Sequence, residues 1–173
     1  MTSPLRQQAV NAEFLTRSYR ISGEVSVRSD PLLDQLNDHL ALFVHVERVF
    51  VSPLLDPATL TGNFRSVEVR KDTLGLVVLK RAEDGLPHRQ GRYIGRDHIE
   101  RPVVTVAAGF EVRGVMSLHP SVNVAELIRT TPEQFVLIFD ASATLTARRE
   151  VVFNGGAILL NRSQIEVFAA LDE

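Results

Sequence analysis

Cysteine is absent from the 173-residue chain. That excludes disulfide bridges, thiol nucleophiles and the thiolate type of zinc or iron–sulfur site. Tryptophan is absent as well, and two tyrosines stand against nine phenylalanines. Tyrosine and tryptophan give binding sites their rigid, half-polar surface, whereas phenylalanine buries its area in cores. The aromatic balance therefore points to packing rather than to an aromatic recognition face. No apolar run approaches the ~20 residues that a membrane-spanning helix needs. The opening residues, MTSPLRQQAVNAEF, lack the basic start, apolar stretch and cleavage site of a secretory leader. A cytoplasmic protein is expected. Charge of one sign is not in excess, since the net charge is -2. Such a balance gives no global attraction to nucleic acid or anionic lipid.

Catalytic signatures are missing too. There is no G-x-S-x-G elbow, no H-E-x-x-H, no EF-hand loop and no dinucleotide fingerprint. The stretch FNGGAILLN has two glycines but no Lys-Ser/Thr after them, so it is no phosphate loop. Its Asn-Gly pair instead suggests a tight hairpin turn. No cofactor is implied, and a non-enzymatic role is expected.

What is present is alternation. Tyr19, Ile21, Gly23, Val25 and Val27 alternate with polar residues, the period-two pattern of a strand with one wet face. A short helix follows in SDPLLDQLNDH, with Asp30 as N-cap, Pro31 at its first position and Leu32, Leu33 and Leu36 as its apolar stripe. Phe43 to Val51 reads as a strand stopped by Pro53, and FRSVEVRKDTLGLVVL as two more strands about a turn at Lys71–Asp72. In the strand, His45 is expected to face away from the core while Val44 and Val46 face in.

The same order returns later in the chain. Tyr19, Gly23, Val25, Val27 and Leu36 correspond to Phe110, Gly114, Met116, Leu118 and Leu127, each 91 positions on. With one inserted residue, Phe43, Val44, Val46 and Val49 fall on Phe135, Val136, Ile138 and Ala141. Val67, Val69, Lys71, Leu74 and Leu76 then fall on Ile158, Leu160, Arg162, Ile165 and Val167. Asn123, with Glu126 three residues on, outlines a capping box for the second helix. The paired Gly23 and Gly114 carry the most weight, because glycine weakens a strand and marks a bend, bulge or close approach.

The expected fold is therefore mainly β (α+β). Two similar strand-helix-strand-strand-strand units would pack as a pseudo-symmetric pair of sheets or as a barrel, hiding exposed edges. The chain divides into an N-terminal arm (1–17, with a weak helical stripe), a first unit (18–80), a polar Gly/Arg-rich connector (81–102) and a second unit (103–173).

The sequence is compatible with three functions. The first is a structural or protein-interaction module that binds a protein partner or its own copy. The second is a regulatory domain binding a small molecule, anion or nucleotide through the connector. There Arg89, Arg92, Tyr93, Arg96 and His98 form the candidate ligand site, since arginines grip anions and long irregular segments often carry binding groups. A nucleic-acid surface would show more aromatics and a basic domain. The third is an enzyme using Asp97, His98 and Glu100 as acid–base groups. Arg48 and Asp140 occupy matching positions and form a candidate charge pair. Lys71 and Arg162 sit on matching turns and form a candidate anion site.

Overall fold

The computed structural model describes residues 9–171. Ten antiparallel strands form one sheet, with two short helices. The strands are β1 (Ala9–Leu15), β2 (Tyr19–Ser26), β3 (Phe43–Pro53), β4 (Gly62–Arg70), β5 (Leu76–Leu79), β6 (Ile99–Ala107), β7 (Phe110–Leu118), β8 (Phe135–Leu145), β9 (Val152–Asn161) and β10 (Ile165–Ala170). Helix α1 (Leu32–Asn37) lies between β2 and β3, and α2 (Val124–Thr130) between β7 and β8. No helix among the described residues is long and apolar enough to cross a membrane.

The order across the sheet is β10-β6-β7-β8-β9-β5-β1-β2-β3-β4. The ladder runs through one sheet rather than through a pair of sheets, and β10 and β4 stand at its two ends. The registers recur with the element order. Ala12 faces Gly23 in β1·β2, and Val103 faces Gly114 in β6·β7. Leu15 faces Leu76 in β1·β5, and Val106 faces Val167 in β6·β10. Phe43 faces Arg70 in β3·β4, and Phe135 faces Asn161 in β8·β9.

Each run of elements also carries the same irregularity. The β2·β3 register shifts between Ser22 and Glu24, and the β7·β8 register between Arg113 and Val115. The extra residues are Arg48 (φ 51) and Asp140 (φ 44), both in the left-handed region. Each bulge turns a carbonyl toward a glycine. A Cβ on Gly23 would stand 2.8 Å from the Glu47 carbonyl oxygen, and one on Gly114 2.6 Å from that of Phe139. The glycines that weaken the strand pattern are thus the residues that let each strand bend.

Three local expectations change. The arm contributes β1, not a helix, from residue 9 onward, and its first eight residues lie outside the described part. Val10, Ala12 and Phe14 alternate into the core, so the weak helical stripe was a period-two pattern. Pro31, not Asp30, caps α1 and makes no side-chain capping bond. The Asn-Gly-Gly run lies inside β9 rather than at a hairpin. A Cβ on Gly155 would meet the Leu79 carbonyl oxygen at 2.7 Å, and one on Gly156 the Ala82 nitrogen at 2.6 Å. These glycines admit neighbouring backbone. By contrast, Asn123 does cap α2, accepting from the Glu126 N–H at 2.9 Å. Val44 and Val46 are buried while His45 faces out, as the alternation predicts.

Candidate interaction surface

The ladder between β5 and β9 joins the two runs of elements. Leu76 faces Leu160, Val77 faces Leu159, Val78 faces Ile158 and Leu79 faces Ala157. All eight residues are buried. Leu76 and Val78 pack on one face, with Ile158, Leu160, Phe110 and Val112. Val77 and Leu79 pack on the other, with Leu159, Leu137 and Phe135, in the core that surrounds α1. Asn37 fastens this second face, donating to the Phe135 carbonyl at 3.1 Å and accepting from its N–H at 2.7 Å. Beyond the ladder, the Asn161 N–H donates to the Gly75 carbonyl at 2.9 Å and its Nδ2 to the Leu74 carbonyl at 2.7 Å.

Among the described residues, the two end strands lack such cover. Beside β4 lies an open groove of about 280 Å³, lined mainly by Tyr19, Ile21, Val51, Val67, Val69 and Arg70. Its apolar floor follows from the period-two alternation of β2, β3 and β4. The corresponding floor in the later elements is Phe110, Val112, Ile158 and Leu160, and there Leu76 and Val78 of β5 fill it. On β10, Val167 is 59% exposed, and Glu166 and Ala169 are exposed beside it. On the outer face of β3, Phe43 is 47% exposed, whereas Phe135, its counterpart on β8, is fully buried.

The predicted ligand residues of the connector do not converge on one pocket. Arg92 and Tyr93 turn to Glu133, with Arg92 Nη1 at 3.2 Å and the Tyr93 hydroxyl donating at 3.1 Å. Burial and the Glu133 carboxylate hold the Tyr93 phenol protonated, well above its usual range. Asp34 on α1 accepts from the His88 N–H at 3.0 Å. The connector is thus tied to α1 on one side and to the α2–β8 turn on the other. Arg89 and Arg96 are exposed and make no hydrogen bond or ion pair with the described residues. His98 lies over Gly95, and its Nδ1 is buried without a hydrogen-bond partner. Asp97 and Glu100 are exposed. No cluster of metal-ligating side chains occurs among the described residues.

The two matched pairs resolve differently from expectation. Arg48 forms its ion pair with Glu24, not with Asp140. Asp140 is exposed on β8, and β9, β5, β1 and β2 separate that strand from β3. The feature these positions share is the bulge. Lys71 and Arg162 turn instead to main-chain carbonyls. Lys71 Nζ donates to the Gln35 carbonyl and, at 2.9 Å, to that of Asp38. Arg162 Nε donates to the Glu133 carbonyl at 3.1 Å and Nη1 to that of Ile128 at 3.3 Å. Each cation thus closes the C-terminal end of its helix, where carbonyls lack partners. Burial lowers the pKa of Lys71, and Asp38 partly opposes the shift.

Sequence reasoning missed the β4 groove. Its signal was the pairing of Val67 and Val69 with Ile158 and Leu160, whose strand is more apolar throughout. Comparison with known proteins returns no matching family model, no similar curated protein and no similar solved structure.

Proposed function

We propose that the protein is a non-enzymatic interaction module of the cytoplasm, built from two similar units arranged in pseudo-symmetric order. Its task is to take up an extended strand of a protein partner along β4. The observation that carries this reading is the apolar groove beside an edge strand left unpaired among the described residues. An unpaired edge presents a row of backbone donors and acceptors, and alternate side chains of an added strand fill pockets beneath it. The arginine-rich connector supports this reading by default, because Arg92, Tyr93 and His88 hold structural partners.

The test is binding of a library of eight-residue peptides with apolar residues at alternate positions. Titration followed by backbone NMR is expected to move the resonances of Ile21, Val51 and Val67. Val67→Lys should abolish the effect. Peptides that fail to bind, or that shift resonances elsewhere, would remove the reading.

A second reading rests on Arg89 and Arg96, two exposed guanidiniums close in sequence without partners among the described residues. It makes the connector an anion- or nucleotide-binding segment. Phosphate or ATP that raises the melting temperature of the native chain, but not of Arg89→Ala/Arg96→Ala, would favour it.

A further inference from the structure

We propose that the strand taken up along β4 is β10 of a second copy of this chain. The inference rests on the reading of β4 as a strand-accepting edge and names its partner.

The β5·β9 ladder is the template. Strand β10 holds the place in the later elements that β5 holds in the earlier ones, and β4 the place that β9 holds. Transferring the pairs of β5·β9 to β10·β4 sets Val167 against Val69, Phe168 against Glu68, Ala169 against Val67 and Ala170 against Ser66. The faces then agree. Leu76 and Val78 point away from their own unit and into the next, and their counterparts Val167 and Ala169 are the apolar residues of β10 that face out. Phe168 and Ala170 pack inward on the core of their own unit, as Val77 and Leu79 do. Docked this way, Val167 and Ala169 enter the groove lined by Tyr19, Ile21, Val51, Val67 and Val69.

The charges agree as well. Where Asn161 meets Gly75 in the internal ladder, the transferred register puts Arg70 against Glu166. Both are exposed. Arg70 has only its chain neighbour Asp72 at 3.2 Å, and Glu166 makes no ion pair with the described residues.

The contact between copies is weaker than the internal one. His45 and Glu68, an exposed ion pair at 2.5 Å, stand where the internal junction has Leu137 and Leu159. Exposed ion pairs contribute little compared with buried leucines, so copies associate reversibly. Because β4 and β10 are different surfaces, the contact is head-to-tail. Such contacts propagate to a closed ring or an open filament.

The test is sedimentation velocity of the full chain over a concentration series. The native chain is expected to rise from monomer to larger species. Val167→Lys, a change at an exposed site, should hold it at monomer with an unchanged melting temperature. Arg70→Glu and Glu166→Arg should each weaken association at least tenfold. Mixing those two variants should restore association as alternating assemblies, because each contact between unlike copies pairs opposite charges, and the double variant should restore self-association. A native chain that stays monomeric throughout, or association untouched by Val167→Lys and by both charge reversals, would overturn the proposal. A monomer that still binds strand peptides along β4 loses this inference alone. A monomer that binds none loses the reading beneath it too.

Discussion

Gly114 faces the carbonyl of Phe139 across β7 and β8, and a Cβ at that position would stand 2.6 Å from the oxygen. The carbonyl points there because the next residue, Asp140, takes φ 44. Gly23 and Arg48 repeat the arrangement in β2 and β3. A contact with backbone cannot be relieved by a side-chain rotation. Gly114→Ala and Gly23→Ala are each expected to cost about 1–3 kcal/mol, read as a lower urea midpoint at an unchanged slope. The partner position responds the other way. Arg48→Gly removes a side chain from the left-handed region, which should raise stability by about 0.5–1 kcal/mol after the greater freedom of glycine in the unfolded chain is subtracted.

That glycine pair was legible in the sequence because an awkward residue at one point of an alternating pattern is expensive to carry twice. Strands other than β1, and both helices, were legible for a related reason. Leu32, Leu33 and Leu36 are all buried, as their stripe requires, and each strand with a wet face shows its period. The groove and its edge were not legible, because edge status depends on which strand arrives next, and alternation is silent about that. Lys71 and Arg162 show the same limit from another side. Their basic character marks a turn that needs a cation, and only the fold shows that main-chain carbonyls at the helix ends receive it.

Lys71 offers a test of that assignment. Lys71→Met leaves the Gln35 and Asp38 carbonyls without their donor, at an expected cost of about 1–3 kcal/mol. Lys71→Arg should recover part of the loss, since Arg162 does the same work at α2. The pH dependence has a definite sign. Burial holds the folded pKa below the ordinary lysine value of 10.5. Between the folded and unfolded values the unfolded chain binds the extra proton, so stability contributed by this group rises as pH rises through that window. Denaturation curves taken across the alkaline range should show that slope in the native chain and not in Lys71→Met.

Tyr93 gives an optical readout of how firmly the connector is held. Its hydroxyl is buried against Glu133, and both burial and the carboxylate oppose ionisation. The phenolate absorbance of Tyr93 should therefore appear only as the protein unfolds in alkali. Tyr93→Phe should remove that component. The lost hydrogen bond to a carboxylate should cost about 1.5–3 kcal/mol.

The two halves of the chain are not expected to fold apart. The core around α1 is completed by Phe135, Leu137, Ala157 and Leu159, all of which come from β8 and β9. In return, Leu15, Leu76 and Val78 complete the core of the later elements. A chain ending at Lys80 loses the four closing side chains and leaves β5 without its β9 neighbour. Fully burying one such large aliphatic or aromatic residue contributes about 1.5–3 kcal/mol, and a domain's whole stability is about 5–15 kcal/mol. The loss is comparable to the total. The truncated chain should show no cooperative thermal transition by circular dichroism and poor amide dispersion by NMR. A cooperative transition in that fragment would mean that its core closes without β8 and β9. The internal β5·β9 ladder would then be a docking contact between finished units, not a shared core.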